Sequence, residues 1–202
     1  MKKLLIATTN KGKIRELSEF LSDLPLELVS FADVGITDDA DETGTTFLEN
    51  SQLKARFYSK KSGLPAVADD GGLLITALGG APGVKSRRWL GYEATDEELI
   101  EHMKKVSRDL PDDNRQAFFE TVVTVALPDG TVDSSTGKLE GIIAKEPSFK
   151  LEQGYPYRSF FFIPQLNRFY FEDELTSEEM KLYHHRYKAV EQLKNVIKKK
   201  LF

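Results

Sequence analysis

Two adjacent carboxylates, Asp69 and Asp70, close the short apolar run Ala66-Val67-Ala68 and are followed at once by Gly71-Gly72. An apolar run that ends in two acids at a Gly-Gly pair predicts a strand whose end presents carboxylates at a bend. Like charges this close disfavour joint ionisation, and a hard divalent cation between them relieves the repulsion. Asp and Gly are also ordinary turn residues, so an acidic hairpin turn accounts for the same pattern.

Two other stretches carry complementary chemistry. Leu4 to Ala7 has the length of a buried strand and breaks at Thr8-Thr9-Asn10-Lys11-Gly12-Lys13. Ile14, Leu17, Phe20, Leu21 and Leu24 then recur at helical spacing. A helix start offers free N–H groups and the favourable end of the dipole to an anion, with Thr8, Asn10 and Lys13 adding donors. Asn10 there also suits a plain N-cap. This is not the Walker A spacing. Further on, Thr46-Phe47-Leu48-Glu49 has the capping-box form and predicts a helix to about Lys60. Asn50, Lys54 and Phe57 fall on one face of it. Asn50 and Lys54 either line a polar cleft or, for Lys54, reach out to water.

The elements that must position these groups alternate. Leu26 to Val29 is a second strand, Asp33 to Thr45 an acidic loop, and Thr95 opens a further helix. Ala117 to Leu127 and Thr131 to Ile143 form a long hairpin about Pro128-Asp129-Gly130. Phe160 to Ile163 is a short buried strand, and one helix runs from Leu175 past His184-His185-Arg186 to the chain end. That order predicts an α/β architecture, elongated and two-lobed, with a long twisted mixed sheet and a central substrate cleft, built as one domain over residues 1–202.

Composition bounds the function. With 202 residues, 40% hydrophobic and 30% charged, the chain suits a globular protein. A net charge of −4 speaks against bulk binding of nucleic acid. Without cysteine, disulfides, thiolate metal sites and cysteine nucleophiles are excluded. The N-terminal apolar run is too short for a signal-peptide core, and no segment reaches membrane-spanning length. Together with the missing cysteines, these point to a cytoplasmic protein without a membrane partner. Lys13, Lys54 and Arg88 would hold phosphate oxygens, while Glu42, Asp69 and Asp70 would hold Mg²⁺ and activate water.

The ordered motifs resemble the inosine triphosphate pyrophosphatase family. Thr8 to Lys13 looks like its [ST]xNxxK opening, and Glu42-Thr43-Gly44 with Phe47, Glu49-Asn50 and Lys54-Ala55 like its ETGxTFxENAxxKA segment. Ala68 to Leu73 resembles ADDSGL, and Leu78 to Val84 with Ser86 and Arg88 resembles LGGxPGxxSxR. Gly137, Gly141 and Ile143 fit GxxxGxI.

The resemblance implies Mg²⁺-dependent cleavage of dITP, ITP and XTP to the monophosphate and pyrophosphate, by a homodimer. It implies Asp70 as catalytic and metal-site carboxylate, Glu42 as its metal partner and Asp69 as a neighbour. Thr8, Thr9, Asn10, Lys13, Asn50, Lys54, Gly71 and Arg88 would bind substrate. Tyr155, Tyr157, Arg158, His185 and Arg186 fall where the family reads the base. The family's GFGYDP is Gly154-Tyr155-Pro156-Tyr157-Arg158-Ser159 here, so an Asp becomes Arg158. Its SHR is His184-His185-Arg186, and Met180 stands where it has Lys. Asp accepts hydrogen bonds and Arg only donates them, so the base pocket changes character. Two other readings share the scaffold: a non-catalytic nucleotide-binding protein, and a pyrophosphatase on pyrimidine or modified nucleotides as in the Maf-type enzymes.

Overall fold

The structure, a computed structural model, describes residues Met1–Phe202. The chain runs β1 (Lys2–Ile6), α1 (Lys11–Phe20), β2 (Leu26–Val29), the single turn α2 (Phe31–Val34), α3 (Phe47–Ser62) and β3 (Ala66–Ile75). It continues through α4 (Asp96–Asp109), β4 (Gln116–Ala126), β5 (Val132–Ile143), β6 (Phe161–Ile163), β7 (Arg168–Phe169), α5 (Ser177–Tyr183) and α6 (His185–Leu201). The strands form one 7-stranded sheet in the order β2-β1-β3-β4-β5-β6-β7. β1 is parallel to both β2 and β3, whereas β6 is antiparallel to β5 and β7. The sheet is therefore mixed, as the alternation of elements predicts.

Two compact units share these strands. The first comprises Met1–Asp70, Thr121–Gly137 and His185–Phe202; the second comprises Gly71–Glu120 and Lys138–His184. Neither is one continuous stretch. In the first, Leu5, Ala7, Val29, Ala55, Tyr58, Ala66 and Ala126 make the core. In the second, Leu73, Ile75, Leu99, Met103, Phe119, Phe161 and Tyr170 do so.

The helices begin as their sequences dictate. Thr46, Thr95 and Thr176 close capping boxes with Glu49, Glu98 and Glu179, giving α3, α4 and α5 acids in their first turns. α3 departs from the expectation on one point. Phe57 is 38% exposed, turned edge-on to Tyr58, so it does not share the inward face of Asn50 and Lys54.

Two further departures shape the site. The aspartates do not end a strand, because β3 continues through Gly71-Gly72 to Ile75. Gly72 is required for close approach, not for a turn: a Cβ there would lie 2.1 Å from Ser86 Oγ and 2.7 Å from the Gly83 carbonyl oxygen. Ser86 Oγ uses that space to donate to the Gly83 oxygen at 2.7 Å and accept from Leu73 N at 3.1 Å.

The C-terminal helix is also two helices, broken at His184, whose backbone is extended (φ −99°, ψ 108°). The restart brings the His185 carbonyl onto β5, where a Cβ on Gly137 would stand 1.8 Å from that oxygen. Gly137→Ala should force the start of α6 off the sheet. The expected cost is roughly 3 kcal/mol, the upper end for overpacking. In a thermal melt that is a fall in Tm on the order of 10 °C; an unchanged Tm would show that the approach is dispensable.

Candidate functional site

The N-terminus of α1 is built around Asn10. Its Oδ1 accepts from Lys13 N at 3.1 Å, and its own N–H donates to Thr8 Oγ1 at 3.2 Å. Thr8 and Asn10 thus make the cap, and Thr9 is exposed. The first turn holds Lys11 and Lys13 and no acid. Cations there oppose the helix dipole, and a bound anion at the same end would relieve them.

Strand geometry then separates the two aspartates. Successive side chains on a strand point to opposite faces, and the partners of Asp69 and Asp70 are different residues. Asp69 Oδ2 takes Lys13 Nζ at 3.1 Å, Arg186 Nε at 3.1 Å and Nη2 at 3.0 Å, and Thr121 Oγ1 at 3.4 Å. Burial works against its charge, but Lys13 first, then Arg186 and Lys54, hold its carboxyl well below the usual range. Asp70 meets α3 instead. Lys54 Nζ lies 3.6 Å from Asp70 Oδ1 and 2.9 Å from Glu42 Oε1. Asn50 accepts from Gly44 N at 2.8 Å and hydrogen-bonds Asp70. Burial pushes the Asp70 carboxyl up against the pull of Lys54 and Lys13, and the Glu42 charge adds to the rise. Burial also disfavours the charged Lys54, yet Asp70, Asp69 and Glu42 together hold its ammonium above the ordinary value.

A divalent cation is thereby tested against the donors present. Asp69 already has two cations on one oxygen. Asp70 Oδ2 is buried without a hydrogen-bond partner, and Glu42 stands on the other side of Lys54. A hard cation at Glu42 and Asp70 would satisfy that oxygen and lower the carboxyl, so these residues fit one. Asp69 and Asp70 meet different residues, as the period of two along the strand dictates, and Asp69 Oδ1 is likewise buried without a hydrogen-bond partner.

Arg186 is the centre of a buried cluster. Its Nη1 donates to Glu16 of α1, while its Nε and Nη2 hold Asp69. Glu16, Asp69 and Arg186 are all buried, as is His185 beside them in the chain. The guanidinium is thus engaged by Glu16 and Asp69 inside the first unit. Glu16 and Thr121 escaped the sequence reading. Glu16 had a signal: it sits with Gly12, Leu17 and Phe20 on the buried face of α1, where a carboxylate needs a cation.

The remaining candidates belong to the second unit. Gly71 is half-buried within β3, and Arg88 is exposed at the end of a 3-10 turn over Gly83–Arg88. Tyr157 is buried, its hydroxyl donating to the Ser86 carbonyl at 2.5 Å. Tyr155 is half-buried. Arg158 is 1% exposed.

Comparison with known proteins agrees with this chemistry. A sequence model described as the Ham1 family matches residues 4–196. A dITP/XTP pyrophosphatase from Shigella flexneri is 42% identical over 200 residues, covering 98% of this chain and 99% of the relative. One from Escherichia coli (strain K12) is 40% identical over the same shares. Among solved structures, a HAM1 protein from Coxiella burnetii superposes with a TM-score of 0.83 at 36% identity, covering 98% of this chain and 100% of its own. The Staphylococcus aureus Ham1 protein gives 0.80 at 29%, covering 98% and 99%.

Proposed function

The chain belongs to the Ham1 family, and we propose that it hydrolyses non-standard purine nucleoside triphosphates (dITP, ITP and XTP) to the monophosphate and pyrophosphate, clearing them from the nucleotide pool. The observation that carries this reading is Asp70, a buried carboxylate raised above its ordinary range, with one unpartnered oxygen and a lysine beside it. A carboxylate so placed can accept a proton from an attacking water while its other oxygen serves the cation.

Lys13 and Lys54 would draw in phosphate oxygens, each exchanging a carboxylate partner for the substrate. Thr8 and Asn10 set the direction of the α1 N-terminus towards the same charge, with Thr9 exposed beside them. Glu42 and Asp70 would hold the divalent ion, with Mg²⁺ as the proposed metal. When bound, it would supply charge neutralisation for the polyphosphate and polarise its bridging bond. Asn50 orients Asp70, and Arg186 keeps Asp69 ionised as the anchor of Lys13. By the family resemblance, Gly71 and Arg88 are assigned to the substrate, and Tyr155 to stacking on the base. The same resemblance supports a cytoplasmic homodimer. No helix is long and apolar enough to cross a membrane.

Pyrophosphate release from a panel of XTP, dITP, dUTP, dTTP and the four ordinary nucleotides, with Mg²⁺, tests the proposal. XTP and dITP should be preferred by about 10-fold or more, the range that polar base recognition can supply. Equal turnover of all would sink the substrate reading. Absence of release from any would leave the non-catalytic binder.

A further inference from the structure

Arg158 occupies a built site that neither the phosphate chemistry nor the family pattern explains. It is among the largest fully buried side chains of the protein. Its Nη1 donates to both carboxylate oxygens of Glu152 at 2.9 Å, and Glu172 lies 3.8 Å away. The Arg158 Cζ lies over the Tyr155 ring at 3.8 Å from the centroid, and 4.7 Å from the centroid of Tyr170. Two consecutive turns deliver these groups: Tyr155 N donates to the Glu152 oxygen at 3.0 Å, and Arg158 N to the Tyr155 oxygen at 3.1 Å. The loop is fixed at both flanks as well. Gly154 N donates to Asp96 Oδ2 at 2.6 Å, and Tyr157 holds the Ser86 carbonyl.

From this geometry we propose that Arg158 is a positioning residue that determines base affinity through Tyr155. The inference rests on the reading of Tyr155 as the stacking group. The guanidinium covers one face of the ring and so restricts how a planar base can stack on Tyr155. The guanidinium against that face is itself held by Glu152. A guanidinium can lie flat on an aromatic ring and keep further N–H groups for a carboxylate, whereas an ammonium is a point charge over the ring. Ordering the ring before substrate arrives removes an entropic cost of binding that a mobile tyrosine would incur. The Asp-to-Arg departure therefore substitutes one means of fixing the loop for another and is compensated by Glu152 and Glu172. An Arg158→Asp swap is unsuitable as a probe, since it would set a third carboxylate beside those two.

The test uses the full chain with Mg²⁺ and the variants Arg158→Lys and Glu152→Gln. Steady-state kinetics on XTP and dITP should show KM raised about tenfold with kcat near wild type. Competitive inhibition by inorganic tripolyphosphate, which has no base, should be unchanged. Tyr155→Leu should give the same rise in KM, and Tyr155→Leu/Arg158→Lys no further rise, because both changes act through one ring. Unchanged KM, an equal loss of tripolyphosphate binding, or additive effects of the two changes would each overturn the proposal. Circular dichroism identifies any variant that fails to fold; should Arg158→Lys do so, Glu152→Gln carries the same comparison. If wild type releases no pyrophosphate, the enzymatic reading falls and the clamp is decided by calorimetry. Inosine monophosphate should then bind Arg158→Lys about tenfold more weakly, and equal binding would refute it.

Discussion

Asp70→Asn should lower kcat by roughly 10²–10⁴-fold, the contribution of a positioned acid or base, while the protein still binds nucleotide. Asparagine keeps the shape and one acceptor oxygen but cannot take a proton. Lys13 and Lys54 remain to hold phosphate, and Lys54 keeps Glu42 at 2.9 Å. The sign of the stability change also follows. The folded state raises the Asp70 carboxyl chiefly through burial, so it favours the neutral form, and ionisation above the ordinary carboxyl pKa works against folding. Removing that charge should leave Tm at neutral pH equal to or above wild type. Loss of turnover with retained or increased Tm is the pattern of a group kept for chemistry at a cost in stability. Kinetics, nucleotide titration and a thermal melt on one preparation decide it; near-normal kcat would remove Asp70 from the mechanism.

Arg186→Met should be the most destabilising single change in the first unit, at roughly 3–5 kcal/mol. It leaves Glu16 and Asp69, both with fully buried side chains, sharing no guanidinium. Lys13 still reaches Asp69, but Glu16 loses the hydrogen bond that Arg186 made. For a chain of this size that is a fall in Tm on the order of 10 °C. The gap should depend on pH in a definite direction. Asp69 is held below its ordinary pKa in the folded protein, so its contribution is complete above that ordinary value and is lost as pH falls. Without Arg186 the same carboxyl is less depressed and protonates earlier, which relieves the variant. The difference in Tm should therefore narrow on acidification below about pH 4. A gap that stays constant from neutral pH downward would show that Arg186 acts by packing alone.

These two variants also mark how far the chain could be read unaided. The helix starts at Thr46, Thr95 and Thr176 were legible because a capping box is local: donor and acceptor lie three residues apart. So was the α/β alternation, since hydrophobic periodicity needs no partner. The run to Asp69-Asp70 is a strand, as its sequence predicts, but it continues past them to Ile75 although Gly71-Gly72 has the composition of a turn. The need for glycine there comes from Ser86 and the Gly83 carbonyl, eleven or more residues away in the chain. The break at His184 was hidden for the same reason. The restarted helix sets the His185 carbonyl against Gly137 on β5, a contact remote in the chain, and nothing in the local sequence forbids one continuous helix.

By itself the sequence determined the chemical inventory of this protein: lysines and hydroxyls at a helix start, an amide and a lysine on one helix face, carboxylates on a strand, and the family that has them in this order. Only the tertiary structure decided what each charge is balanced by. The two aspartates are neighbours in the chain, yet strand geometry gives Asp69 to Lys13 and Arg186, and Asp70 to Lys54 and Asn50. Arg158 is buried on Glu152, and Arg186 on Glu16 with Asp69. The physical reason is that residue type sets which charges exist, whereas burial and the nearest opposite charge set their pKa and their availability, and those neighbours are remote in sequence.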